Sequence, residues 1–95
     1  MYAVFTEVDA DDSDAEAGRE ILPEFAAPAA RSMGAKAGYW LAPQHGRGVA
    51  VVVFETEGEA ESAARMFEVG KPPMPNAPAS VIVRTVEVRE VLATV

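Results

Sequence analysis

At 95 residues, 49% hydrophobic and 24% charged, the chain makes one small globular domain, 1–95, in which only about 60–65% of the unfolded surface can be buried. Its net charge of −7, from 8 basic and 15 acidic residues, disfavours nucleic acid and anionic membrane surfaces as partners. Cysteine is absent, which excludes disulfide and thiol chemistry and leaves zinc only the single histidine and carboxylates; neither a metal nor a cofactor is expected.

Residues 1–20 are acidic and polar, without the basic and then apolar regions of a secretory signal, and no apolar run approaches the roughly 20 residues that span a bilayer. A cytoplasmic location is therefore expected, and the Ala-, Val- and Glu-rich composition suggests a bacterial source. The first strand is expected over Tyr2–Val8, with Tyr2, Val4, Thr6 and Val8 on one face and Ala3, Phe5 and Glu7 on the other. Six acids follow within Glu7–Glu16, and Asp9, Asp11, Ser13 and Glu20 fall at calcium-loop spacing. Asp14 stands where that loop needs glycine, and a strand rather than a helix precedes it, so a solvated loop leading into a helix is the better reading.

Ser13 and Glu16 have capping-box spacing and place a helix start near Asp14. Gly18, Leu22, Phe25, Ala29 and Met33 then recur on one helical face, with a kink or two segments meeting near Pro23 and a C-cap at Gly34. Such a stripe reads as core. Gly38–Ala42 and Val49–Thr56 are two strand-like runs flanking the turn-forming cluster Pro43–Gly48, the pattern of a β-hairpin.

Thr56 and Glu59 repeat the capping-box spacing, opening a second helix on which Ala60, Ala63, Ala64 and Phe67 share a face, Glu61 pairs with Arg65, and Gly70 is the stop. Lys71–Ser80 holds Pro72, Pro73, Pro75 and Pro78 and is a long loop of the kind used for lids and contacts, with an apolar Met74 at its centre. A last strand alternates through Val81, Val83, Thr85 and Glu87 against Ile82, Arg84, Val86 and Val88, and its apolar continuation to Val95 calls for a covering surface.

Strand, helix, hairpin, helix, strand is the βαββαβ order of an α+β, ferredoxin-like domain: an antiparallel sheet with two helices on one face. Val49–Phe54 is apolar throughout, so the other face also needs cover. Gly38-Tyr39-Trp40-Leu41, then Gly46-Arg47-Gly48, the apolar strand, Phe54-Glu55-Thr56, an Ala-rich acidic helix and the terminal Val-Glu-Val-Arg-Glu-Val together resemble small proteins of the dimeric α+β barrel superfamily, within it the antibiotic-biosynthesis-monooxygenase-like group. The resemblance covers nearly the whole chain and implies a homodimer joined through the open sheet face, with the C-terminal residues reaching the partner. Members of the group include cofactor-free oxygenases of polycyclic aromatics and haem-degrading enzymes. The latter use Asn, Trp and His, whereas here the one asparagine, Asn76, lies in the proline loop and the one histidine, His45, at the hairpin tip.

Two functions follow. One is a non-catalytic module that binds a small ligand such as an aromatic molecule or has a structural role, favoured because the sequence offers no proton-transfer pair. The alternative is a cofactor-independent monooxygenase of an aromatic small molecule. Either would place ligand between helices and sheet against Phe5, Phe25, a largely buried Trp40, Phe54 and Phe67, with Arg84 available for negative charge.

Overall fold

A computed structural model describes residues 1–95. Four strands, β1 (Tyr2–Asp9), β2 (Ala37–Gln44), β3 (Arg47–Phe54) and β4 (Ile82–Glu90), form one antiparallel sheet in the order β2-β3-β1-β4. Helices α1 (Ala15–Ile21) and α2 (Ala27–Ser32) lie between β1 and β2, and α3 (Glu57–Ala64) lies between β3 and β4. This is the ferredoxin-like α+β arrangement expected from the order of elements.

The period of two in each strand and the pairing register sort the side chains into two faces. Tyr2, Val4, Thr6 and Val8 of β1 are level with Phe54, Val52, Ala50 and Gly48 of β3, and these face the helices. Ala3, Phe5, Glu7 and Asp9 are level with Val53, Val51, Val49 and Arg47 on the opposite face. The packed core sits at one end of the helical side. There Val4, Phe54, Ala60 and Ala63 are buried together, flanked by Tyr2, Met33, Val52, Val86 and Val88. The small Ala60 and Ala63 let α3 approach the sheet closely, and its start is held as the capping box predicts: the Glu59 N–H donates to Thr56 Oγ1 and the Thr56 N–H to Glu59 Oε1, both at 3.2 Å. The helix stops at Ala64, short of Gly70, and the Arg65 guanidinium turns to Ser62 at 3.2 Å instead of pairing with Glu61.

The segment between β1 and β2 starts differently from the sequence expectation. Asp11, not Ser13, is the cap: its N–H donates to Asp14 Oδ2 at 2.8 Å, and Asp12–Asp14 make a 3-10 turn before α1 begins. Between α1 and α2, residues Leu22–Ala26 form a π-helical turn, and the Ala27 N–H reaches back five residues to the Leu22 carbonyl. Pro23 and Pro28 have no N–H to give to carbonyls four residues back, and the wider turn between them keeps the segment continuous. The result is one helical arm. It ends in a Schellman motif at Gly34 (φ 97°), where the Gly34 N–H donates to the Arg31 carbonyl and the Ala35 N–H to the Ala30 carbonyl.

The β2–β3 connection is tighter than its composition suggests. Gln44 is level with Arg47, so the turn is His45-Gly46 alone, with φ of 55° and 78°, the left-handed pair of a type I′ turn. Pro43 is admitted into β2 because β2 is an edge strand.

In β4 the alternation changes phase. Glu7 is level with Thr85 but Val8 with Val83, so Arg84 is an extra, bulged residue. Val83 therefore points to the helical side, Ile82, Thr85 and Glu87 to the other, and Val86 and Val88 return to the core. This corrects the simple alternation, which would have put Arg84 on one face with Val86 and Val88. Residues 91–95 lie beyond the strand, and Leu92 is 89% exposed. No helix is long and apolar enough to cross a membrane.

Candidate functional site

The arm contributes none of the chain's buried residues. Of its stripe Gly18, Leu22, Phe25, Ala29 and Met33, read from the sequence as core, Met33 packs against the core, and the stripe as a whole forms one wall of an open cavity of about 1510 Å³ between arm and sheet. The opposite wall is the helical side of the sheet, and the proline loop closes one flank through Pro72–Pro78, which accounts for the half-buried Met74. That loop is anchored at the free edge of β4: the Gly70 N–H donates to the Val83 carbonyl, and the Val83 N–H to the Lys71 carbonyl, each at 2.8 Å.

Small residues set its depth. Gly48 and Ala50 form the floor on β3; a larger side chain at Ala50 would project into the space, whereas a Cβ at Gly48 would stand 3.0 Å from Val8 Cγ2. On β2 the Trp40 ring folds back over Gly38, where an added Cβ would stand 2.9 Å from Trp40 Cη2. The glycine thus permits the indole to lie flat along the strand, covering backbone that would otherwise be bare. Trp40 is half-buried rather than largely buried, because its ring forms part of the cavity wall.

Of the aromatic residues singled out in the sequence, the structure brings Phe25, Trp40, Phe54 and Phe67 to this cavity, with Phe25 51% exposed at the rim and Phe54 only 1% exposed. Phe5 does not join them. It is level with Val51, whereas Phe54 is level with Tyr2, and this difference in register puts Phe5 on the other side of the sheet. Arg84 is also on that other side. Its Nε and Nη2 donate to Asp9 Oδ1 and Oδ2 at 2.8 and 3.0 Å, a two-pronged pair that uses the geometry of the guanidinium fully. Arg47 bridges to Glu7 at 3.2 Å and to Asp9 at 3.7 Å, and the Thr85 hydroxyl donates to Glu7 at 3.3 Å. The carboxylate of Asp9 is therefore engaged by arginine and not turned toward the acidic loop that follows it.

The Arg84 hydrogen bond is the main cause that holds the Asp9 carboxyl below its ordinary value of 3.8; the charges of Arg84 and Arg47 assist, and partial burial opposes them. A carboxyl whose folded-state value is depressed adds stability above its unfolded value and loses it as pH falls through the folded value. Wild type should therefore lose its stability advantage over Asp9→Asn on acidification below 3.8, which paired urea titrations across that range would measure. A gap independent of pH would contradict the pairing.

The cavity lining also includes residues the sequence reading did not single out as a site. Met33, Met66 and Met74 supply adaptable apolar surface, and Thr6 is the one polar side chain that β1 presents to the space. Thr6 was legible as the polar member of an otherwise apolar face, Tyr2, Val4, Thr6, Val8. Of the 37 lining residues 25 are hydrophobic, and the charged ones are Asp14 and Arg19, both on the first turns of the arm. Such a lining can bind a hydrocarbon surface and orient it with a few hydrogen bonds, but it brings no acid and base together over the floor. No protein-family model, curated protein or solved structure matches this chain.

Proposed function

We propose that this chain is a non-catalytic binding protein for an apolar small molecule, held between the helical arm and the sheet. The observation that carries the reading is the chemistry of the lining: apolar on the floor and both walls, with its two charged residues confined to the start of the arm. Ligand pockets are typically about 300–1,000 Å³ and mostly apolar with a few polar groups. A cleft of about 1510 Å³ has room for such a ligand together with its approach. A cofactor-independent oxygenase would use the same space but asks more of it, a group placed to take a proton from substrate, and that favours binding over chemistry.

We also propose that the protein works as a homodimer of the α+β barrel kind, formed through the sheet face opposite the cavity. Phe5, Val49, Val51 and Val53 on the central strands and Tyr39 and Leu41 on β2 make an apolar patch on that face, with Tyr39 63% and Leu41 56% exposed, bordered by the charged group of Glu7, Asp9, Arg47 and Arg84 and by Glu87. A second copy related by a two-fold axis presents the same surface in return, and the apolar residues Val91–Val95 reach toward it.

Titration with the neutral fluorescent probe N-phenyl-1-naphthylamine, read by its own emission and by that of the single tryptophan, tests the binding reading. Saturation at one probe per chain is expected, and Ala50→Phe, which fills the floor, should weaken binding by tenfold or more. Unsaturable binding, or an Ala50→Phe variant as effective as wild type, would contradict it. Oxygen uptake by aerobic protein with hydroxylated anthrone-like aromatics, absent under the binding reading, would favour the oxygenase.

A further inference from the structure

Across the middle of the sheet, Trp40, Ala50, Thr6 and Val86 stand level with one another on β2, β3, β1 and β4. Trp40, Ala50 and Thr6 line the cavity. The small Ala50 leaves a hollow between positions 40 and 6 of the row, which lie two strand spacings or about 10 Å apart along the sheet. Thr6 is 8% exposed, the buried polar side chain of the cavity floor. None of the chain's side-chain hydrogen bonds involves its hydroxyl, and no buried side-chain polar atom is left unpaired, so this hydroxyl is open to the cavity rather than sealed in the core. A valine would fill the same volume without a hydrogen-bonding group, so the hydroxyl is what lets this point of the floor bond to a molecule that enters the cavity.

Resting on the binding reading, we infer that Thr6 is the polar anchor of the cavity, and that the ligand is a neutral, mostly hydrocarbon molecule carrying a hydroxyl or carbonyl oxygen that sits over Ala50 and bonds to Thr6 Oγ1. Neutrality follows from the surroundings. Val4, Val8, Val52 and Ala50 around Thr6 offer no countercharge, and an ionised group placed there would lose its hydration without compensation. A hydroxyl can donate and accept, so either kind of oxygen satisfies it. Arg19 and Asp14, on the first turns of the arm, belong to other elements than the floor and do not share the Thr6 row.

The test compares p-cymene with thymol, which differ by one hydroxyl, as competitors of N-phenyl-1-naphthylamine on wild type, Thr6→Val and Thr6→Ser. The ratio of their dissociation constants within each protein cancels much of the difference in hydration between the two compounds. Relative to Thr6→Val, wild type should favour thymol by roughly three- to tenfold, the worth of one net hydrogen bond. Thr6→Ser, which keeps the hydroxyl, should retain that preference. Ligand-free Thr6→Val should melt no lower than wild type, whereas a threonine kept for folding would make it melt lower. The same ratio within twofold in wild type and Thr6→Val overturns the anchor, as does its loss in Thr6→Ser. If p-cymene displaces the probe but the ratio is flat, the cavity reading survives without Thr6; if neither compound displaces it, both fail.

Discussion

Phe54→Ala should lower stability by about 3–5 kcal/mol, the cost of removing a fully buried aromatic ring and leaving a cavity. Phe54 is 1% exposed and stands where β3, β1 and α3 meet, against Val4, Ala60 and Ala63. The neighbours cannot collapse into the space: Ala60 and Ala63 are already the small residues that bring α3 close, and Val4 is fixed by pairing on both sides. A domain of this size has about 5–15 kcal/mol in total, so the substitution removes a large share of it and should shift Tm by roughly 12–40 °C. Phe25→Ala is the control. Its ring is 51% exposed at the cavity rim, and its loss should change stability by less than about 1 kcal/mol. Urea denaturation of the two variants side by side checks the contrast, and equal losses would mean that the arm packs on the sheet as tightly as α3 does.

The second large effect is expected on assembly. Val51 lies at the centre of the face away from the helices, level with Phe5 on β1 and Tyr39 on β2. In the proposed dimer, Val51→Glu would place a carboxylate in the apolar patch at the two-fold interface, beside the same group from the second copy. Like charges brought together in a desolvated interface cost several kcal/mol, so the dimer should weaken by 100-fold or more while the monomer keeps its fold. Light scattering after size exclusion at low micromolar concentration should give twice the chain mass of 10.1 kDa for wild type and the single mass for the variant. A wild-type chain of the single mass removes the dimer altogether. An unweakened dimer after deletion of Val91–Val95 removes only the role of the tail.

Much of the fold was legible because local signals agreed with one another. The Thr56 and Glu59 capping box, the glycine stop at Gly34 and the paired runs around the hairpin are each set by residues close in sequence, and each is found where it was expected. What escaped depends on partners distant in the chain. The bulge at Arg84 arises from how β4 meets β1, and nothing within Val81–Val95 signals it. The face of Phe5 relative to Phe54 is a matter of register between β1 and β3, which a period of two within one strand leaves open. Pro43 looked like turn because proline interrupts a central strand, but β2 is an edge. Ser13 looked like a cap because a hydroxyl three residues before a glutamate fits the pattern, but Asp11 and Asp14 match each other first.

The candidate site was half visible for the same reason. The stripe Gly18, Leu22, Phe25, Ala29 and Met33 marks an apolar face, and periodicity is identical whether that face packs on the sheet or stands over a cleft. The difference lies in the proline loop and its anchorage at Val83, and in the small Gly48 and Ala50 beneath.

A crystal structure of the protein grown with N-phenyl-1-naphthylamine tests that cleft most directly. The probe should lie over Ala50, between the Trp40 ring and the Leu22 and Met33 side of the arm, with the arm still clear of the sheet. An arm packed flat against Ala50 and Gly48, with the probe bound elsewhere or absent, would contradict the central claim.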